Sequence, residues 1–117
     1  MNNLNFLLVG TNLSFQWTVT EHLSRLGYSN FFKVNTSEES FNHIKNNQVD
    51  VIIGHYSEGL ALFKNINKHI RYMRIPFILG LKNEDDVFKH GVYSILWKDF
   101  STDDLKREIN KVQSLVS

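Results

Sequence analysis

The 117-residue chain sets 13 Lys and Arg against 12 Asp and Glu, a formal net charge of +1, which is too balanced to drive binding to nucleic acid or a membrane by bulk charge. Its composition, 42% hydrophobic, 13% aromatic and 21% charged with a single proline, is that of a chain that folds around a core, and its length fits one domain over residues 1–117. The lack of cysteine excludes disulfides, a thiol nucleophile and thiolate metal ligation.

The opening segment Met1-Asn2-Asn3-Leu4-Asn5-Phe6 has no basic region, and its apolar run stops at Gly10. It reads as neither a signal peptide nor a membrane span, so a cytoplasmic setting is expected. Leu4 to Val9 reads instead as a strand buried on both faces. From Ser14 to Leu26, the spacing of Phe15, Val19, Leu23 and Leu26 predicts an amphipathic helix stopped by Gly27.

Phe31 to Val34 is the second apolar stretch, and Thr36 and Glu39 after it have the spacing of a capping box. A helix carrying Phe41 and Ile44 is expected to run to Asn46-Asn47. The β-branched run Val49 to Gly54 predicts a third strand, ending at Gly54-His55-Tyr56. Between Gly59 and Arg74, the residues Leu60, Phe63, Ile66, Ile70 and Met73 mark what should be the longest helix, ending before Ile75-Pro76.

Ile75 to Leu81 is expected to form the fourth strand, 83–90 a short helix closed by Gly91, and Val92 to Trp97 the fifth strand. Ser101 should cap a last helix with Asp103 and Asp104 in its first turn, Phe100 stapled to Leu105, and a buried stripe of Leu105, Ile109, Val112 and Val116. Five strands alternating with five helices imply a parallel α/β sheet covered on both faces.

The alternation, Leu26-Gly27-Tyr28 after the first helix, Ile75-Pro76 before the fourth strand and Lys98 after the fifth together resemble the response-regulator receiver family across essentially the whole chain. The resemblance implies a flavodoxin-like strand order 2-1-3-4-5 with its site at the C-terminal ends of the central strands. It also implies an acidic pair holding magnesium, but Gly10 and Thr11 stand there. The phosphoryl-accepting aspartate falls on His55, or on Gly54 in the neighbouring register. The switch Ser or Thr falls on Leu81 or Gly80, and the switch aromatic on Ile95. Lys98 is kept, whereas the proline that follows it in the family is Asp99 here. The segment between His55 and Gly59 is about four residues shorter than in the family, a length read from the resemblance alone.

Phosphoryl transfer to a receiver needs a carboxylate nucleophile and a divalent ion, and Gly10, Thr11 and His55 supply neither; Glu58 and Asn12 nearby make a poor magnesium site. The expectation is a pseudo-receiver that is not an enzyme, uses no cofactor or metal, and works without phosphorylation through a protein partner in bacterial signalling or transcription control. The alternative is a sensor of a small anion or nucleotide around Lys98. His55 reads as a polar strand-end residue rather than a phosphoryl acceptor, because no base or orienting carboxylate accompanies it. The five histidines lack the spacing of helical metal ligands.

Lys64, Lys68, Arg71 and Arg74 make a local basic face that could meet nucleic acid or an acidic protein, though a solvated helix face is the expected reading, and nucleic-acid contact is not expected because no aromatic ring beyond Tyr72 is interleaved. Trp17 lies off its helix's apolar stripe. By resemblance, the face formed by the 83–90 helix, the fifth strand and the last helix offers Tyr93, Trp97, Lys106 and Asn110 for an output partner or a homodimer. A DNA-binding domain in a longer regulator is compatible with this reading.

Overall fold

The computed structural model describes residues 4–69, 71–72, 74–81 and 94–114. They form five parallel strands, β1 (Asn5–Val9), β2 (Asn30–Val34), β3 (Val51–His55), β4 (Phe77–Leu81) and β5 (Ser94–Trp97), in the order β2-β1-β3-β4-β5. Four helices accompany them among the described residues: α1 (Leu13–Arg25), α2 (Ser37–Asn46), α3 (Tyr56–Ile66) and α4 (Thr102–Ser114). The expected strand order is present. The count of five helices is not met among these residues, and the expected helix over 83–90, with Tyr93 and Val116, lies outside them.

Side chains alternate across the strands, so each central strand feeds two cores. Phe6, Leu8, Val51, Ile53, Ile78 and Leu96 meet Val19 and Leu23 of α1 and Leu105, Ile109 and Val112 of α4. On the other face, Leu7, Val9, Ile52, Phe77, Leu79 and Leu81 meet Ile44 of α2 and Leu62 and Ile66 of α3. β2 is an edge strand, which is why its Phe32 and Lys33 stay exposed despite the apolar run.

The caps explain the helix boundaries. Asn12 Oδ1 accepts from Phe15 N at 2.8 Å, and Thr36 Oγ1 accepts from Glu39 N at 3.1 Å, as the capping-box spacing predicts. Ser101 Oγ accepts from Asp104 N at 3.0 Å while Asp104 Oδ2 accepts from Ser101 N at 2.9 Å, a reciprocal pair that fixes the start of α4. Phe100 packs against the cluster containing Leu105, as a staple would.

Several expected boundaries shift. α3 begins at Tyr56 and ends at Ile66, so with 11 residues it is shorter than α1 and α4 rather than the longest helix. Turns follow at Asn67 and Lys68, so Arg71, Tyr72 and Arg74 belong to the connection, while Ile70 and Met73 lie outside the described residues. β3 starts at Val51 because Asp50 is tied back, its Oδ2 accepting from Asn5 N at 2.7 Å. β4 starts at Phe77, since Pro76 has no N–H for the ladder. The buried face of α4 also contains Glu108, which an apolar stripe does not predict; its Oε1 accepts from Ser94 Oγ at 2.8 Å beneath β5.

β3 enters α3 with no intervening loop, and Tyr56 takes a left-handed φ of 44°. The turn closes because Gly54 and Gly59 touch through their backbones: a side-chain carbon on Gly59 would lie 2.4 Å from the Gly54 carbonyl carbon. A side-chain carbon on Gly80 would lie 2.6 Å from the Phe15 ring, which can move, and at an ordinary 3.6 Å from the Gly54 carbonyl oxygen. Gly59→Ala is therefore expected to cost about 3 kcal/mol of stability in urea denaturation, and Gly80→Ala about 1 kcal/mol.

Candidate functional site

The chain order reverses between β1 and β3, and this places a crevice at the C-terminal ends of the central strands. Gly10 and Thr11 follow β1, His55 ends β3, Leu81 ends β4 and Lys98 follows β5. In the ladder, Val9 pairs with Gly54 and His55 with Gly80, so His55 stands level with Gly80 rather than Leu81. Gly80 faces Phe15 of α1, whereas Leu81 and Ile95 pack with the core on the opposite face of the sheet.

Most of the crevice is filled by the chain's own side chains. The Phe15 ring lies over His55 with centroids 4.4 Å apart, and Phe100 meets Phe15 edge-on at 6.2 Å. His22 lies 5.0 Å from Phe100, and its Nδ1 hydrogen-bonds Thr102 Oγ1, tying α1 to α4. What is left is a cleft of about 220 Å³ bounded by Asn12, Ser14, Thr18, His55, Lys98 and Asp99 together with the Phe15 and Phe100 rings and Leu81. Asp99 has a φ of 65°, which a proline ring forbids and aspartate tolerates.

The carboxylate that matters here is Glu58, in the first turn of α3. Its Oε1 accepts from Thr11 N at 2.9 Å and from Thr11 Oγ1 at 3.1 Å, and its Oε2 accepts from Ser57 Oγ at 2.5 Å. The β1–α1 loop is thereby bound to the start of α3. The Ser57 and Thr11 hydrogen bonds hold the Glu58 carboxyl below its ordinary value, against a smaller opposing effect of burial. Gly10 completes the loop: its φ of +145° is rare for any residue with a side chain, and a side-chain carbon there would lie 3.0 Å from His55 Cβ. Gln16 Nε2 donates to the Gly10 carbonyl at 3.0 Å from below.

Magnesium does not fit this set of donors. Gly10, Thr11 and His55 present no carboxylate, both oxygens of Glu58 are engaged, and Asp99 lies beyond Lys98 on the β5 side. Among the described residues, no three His, Asp or Glu side chains converge as metal ligands.

Of the expected interface residues, Trp17 and Trp97 carry exposed rings, and Tyr93 lies outside the described residues. Trp17 is 60% exposed on α1, one turn from Leu13, while Trp97 is 39% exposed at the end of β5. Trp97 shares a cleft of about 350 Å³ with Arg107 and Lys111, but Lys106 and Asn110, though exposed on α4, do not line it. Sequence reasoning set Glu58 aside as half of a poor metal site and read Phe15 as core. The signals that could have found them are Gly80 at the end of the fourth strand, which leaves space for the Phe15 ring, and the Ser57-Glu58 pair just past the end of the third.

No protein-family model and no curated protein matches this sequence. Solved structures do. The receiver domain of a signal transduction histidine kinase from Syntrophus aciditrophicus is 20% identical, with 97% of this chain and 92% of that chain covered and a TM-score of 0.81. The receiver domain of a sensor histidine kinase from Pseudomonas aeruginosa PAO1, with a magnesium ion coordinated in its active-site cleft, is 20% identical over 96% and 98% of the two chains, with a TM-score of 0.80. A chemotaxis response regulator of Vibrio cholerae is 18% identical over 95% and 99%, with a TM-score of 0.78. The chain therefore has the receiver fold, and among its described residues no helix is long and apolar enough to cross a membrane.

Glu58→Ala removes the acceptor for both Thr11 groups and is expected to cost about 1 kcal/mol, after allowance for solvent screening. Because the folded pKa is lowered, the contribution is whole above the ordinary value of 4.5 and is lost as pH falls through the folded value. Chemical denaturation from pH 7 to pH 3 should show a smaller acid loss in the variant than in the parent. His22, lowered from 6.5 first by burial and then by the Arg25 charge, with Glu21 opposing, adds a separate loss as pH falls below 6.5. His22→Gln should remove that part of the slope.

Proposed function

We propose that this chain is a degenerate receiver: a signalling or regulatory domain that accepts no phosphoryl group and acts by binding a protein partner. The observation that carries this reading is the engagement of Glu58. A receiver of the ordinary kind joins its first and third strand ends through acids and a magnesium ion; here a carboxylate of α3 joins the same two segments through Thr11. The position that would hold one acid is a glycine at φ +145°, and the position of the acceptor is His55 under the Phe15 ring. Phosphoryl transfer to aspartate has neither its nucleophile nor its metal at these positions.

With the crevice occupied, binding falls to the outer surfaces, where Trp17 and Trp97 present exposed rings suited to an interface. The chain then has no catalytic residue and needs no cofactor. A setting in bacterial signalling or transcription control, in the cytoplasm, follows from the same resemblance.

The remaining cleft favours a second reading, a sensor for a small anion such as phosphate or a nucleotide. Lys98 and His55 stand beside the hydroxyls of Ser14 and Thr18 there. This reading needs a saturable rise in melting temperature with phosphate or a nucleotide, lost in Lys98→Ala.

Incubation with acetyl phosphate and magnesium followed by intact-mass and fragment mass spectrometry tests the leading reading. The expected result is an unchanged mass. An aspartyl or histidyl phosphate at a strand end, His55 included, would overturn it.

A further inference from the structure

The end of the sheet opposite the crevice carries a second concavity. Leu4, Val49, Ile75 and Pro76 stand just before β1, β3 and β4 and form the floor of a cleft of about 580 Å³, with Arg71 and Arg74 at its rim. Both arginines are exposed, and among the described residues neither joins an ion pair, those present all lying on α4. The Arg71 guanidinium rests 5.8 Å from the centroid of the Tyr72 ring, which restricts its motion. Lys64 and Lys68, both exposed, extend the positive charge along the preceding segment.

The one acid in the lining, Asp50, forms no ion pair with this rim among the described residues. Asp50 Oδ2 accepts from Asn5 N at 2.7 Å and Oδ1 from Gln48 Nε2 at 3.1 Å, so its carboxylate is committed to the strand ends. An aliphatic floor beneath two guanidinium forks that join no ion pair among the described residues is complementary to a ligand that is both apolar and anionic.

We propose that this cleft docks an acidic segment of a partner protein, an extended peptide whose carboxylates pair with Arg71 and Arg74 while an apolar side chain lies on the floor beside Leu4 and Ile75. Guanidinium groups bind carboxylates in a planar two-point geometry, and the apolar contact supplies the affinity that exposed ion pairs lack. A nucleic acid is the poorer match: it would call for phosphate contacts along a continuous stripe and for free rings to stack on, whereas the floor is aliphatic and the Tyr72 ring already carries Arg71. The inference rests on the reading of the domain as a protein-binding module and names the chemistry of its partner.

The test is a titration of the ¹⁵N-labelled full chain with a synthetic peptide of sequence EDLFDE, capped at both ends, followed by NMR. Saturable amide shifts centred on Leu4, Val49, Arg71 and Ile75 are expected, with about tenfold weaker binding in the Arg71→Glu, Arg74→Glu double variant. The peptide KKLFKK should not saturate, and the melting temperature of the double variant should match the parent, since both arginines are exposed. No saturable binding, equal affinity in the double variant, shifts centred on Lys98 or Trp97, or displacement of the peptide by a single-stranded oligonucleotide at the same residues would each overturn the proposal. Phosphoryl labelling at a strand end would instead remove the parent reading, so the two failures are distinguishable.

Discussion

The carboxylate of Glu58, receiving the Thr11 N–H and hydroxyl, is the contact on which the shape of the crevice depends. It binds the loop after β1 to the first turn of α3, two segments that the parallel sheet brings side by side but does not itself connect. A carboxylate held by donors on both its oxygens is stabilised as the anion, as its lowered pKa reflects. The tie reaches Thr11 because α3 starts immediately after His55, and that start requires the backbone contact of Gly54 with Gly59. A residue with a side chain at either glycine would push α3 away and take Glu58 with it.

Small residues at the strand ends explain the filling of the crevice. With Gly10 and Gly80 leaving open the space on either side of His55, the Phe15 ring settles over the imidazole and against Gly80. Small residues at strand ends and one large ring from α1 thus fill this region by packing. Dispersion and burial, which need no ion and respond little to charge, then hold the region. On the proposed reading this is why the domain works as a fixed surface: the elements that would move on phosphorylation are already joined.

Much of the architecture was legible in the sequence because buried parallel strands and capped helices leave strong local signals. Val51-Ile52-Ile53, the Thr36/Glu39 pair, the Ser101 cap and the Leu105, Ile109, Val112 stripe appear in the structure as the sequence predicts. α3 was overextended because Ile70 and Met73 continue its apolar period, and periodicity does not record where a backbone turns, as it does after Ile66. Gly10, Thr11, His55 and Lys98 were readable as positions, since strand ends fix them. What occupies the crevice was not: the contacts of Glu58 with Thr11 and of Phe15 with His55 join residues about 40 or more positions apart, and Phe15 has the spacing of a core residue. Glu108 was hidden for the converse reason, a polar residue buried by one specific partner, Ser94.

On the proposed reading, the Glu58 carboxylate does here what a metal ion would otherwise do. A magnesium titration of the ¹⁵N-labelled domain, observing the Gly10, Thr11 and His55 amides, tests it most directly. These signals should stay in place up to millimolar magnesium, and the Thr11 amide should exchange slowly with solvent in the parent and fast in Glu58→Ala. A saturable magnesium shift at Thr11 and His55, or a Thr11 amide that exchanges equally fast in both proteins, would contradict it.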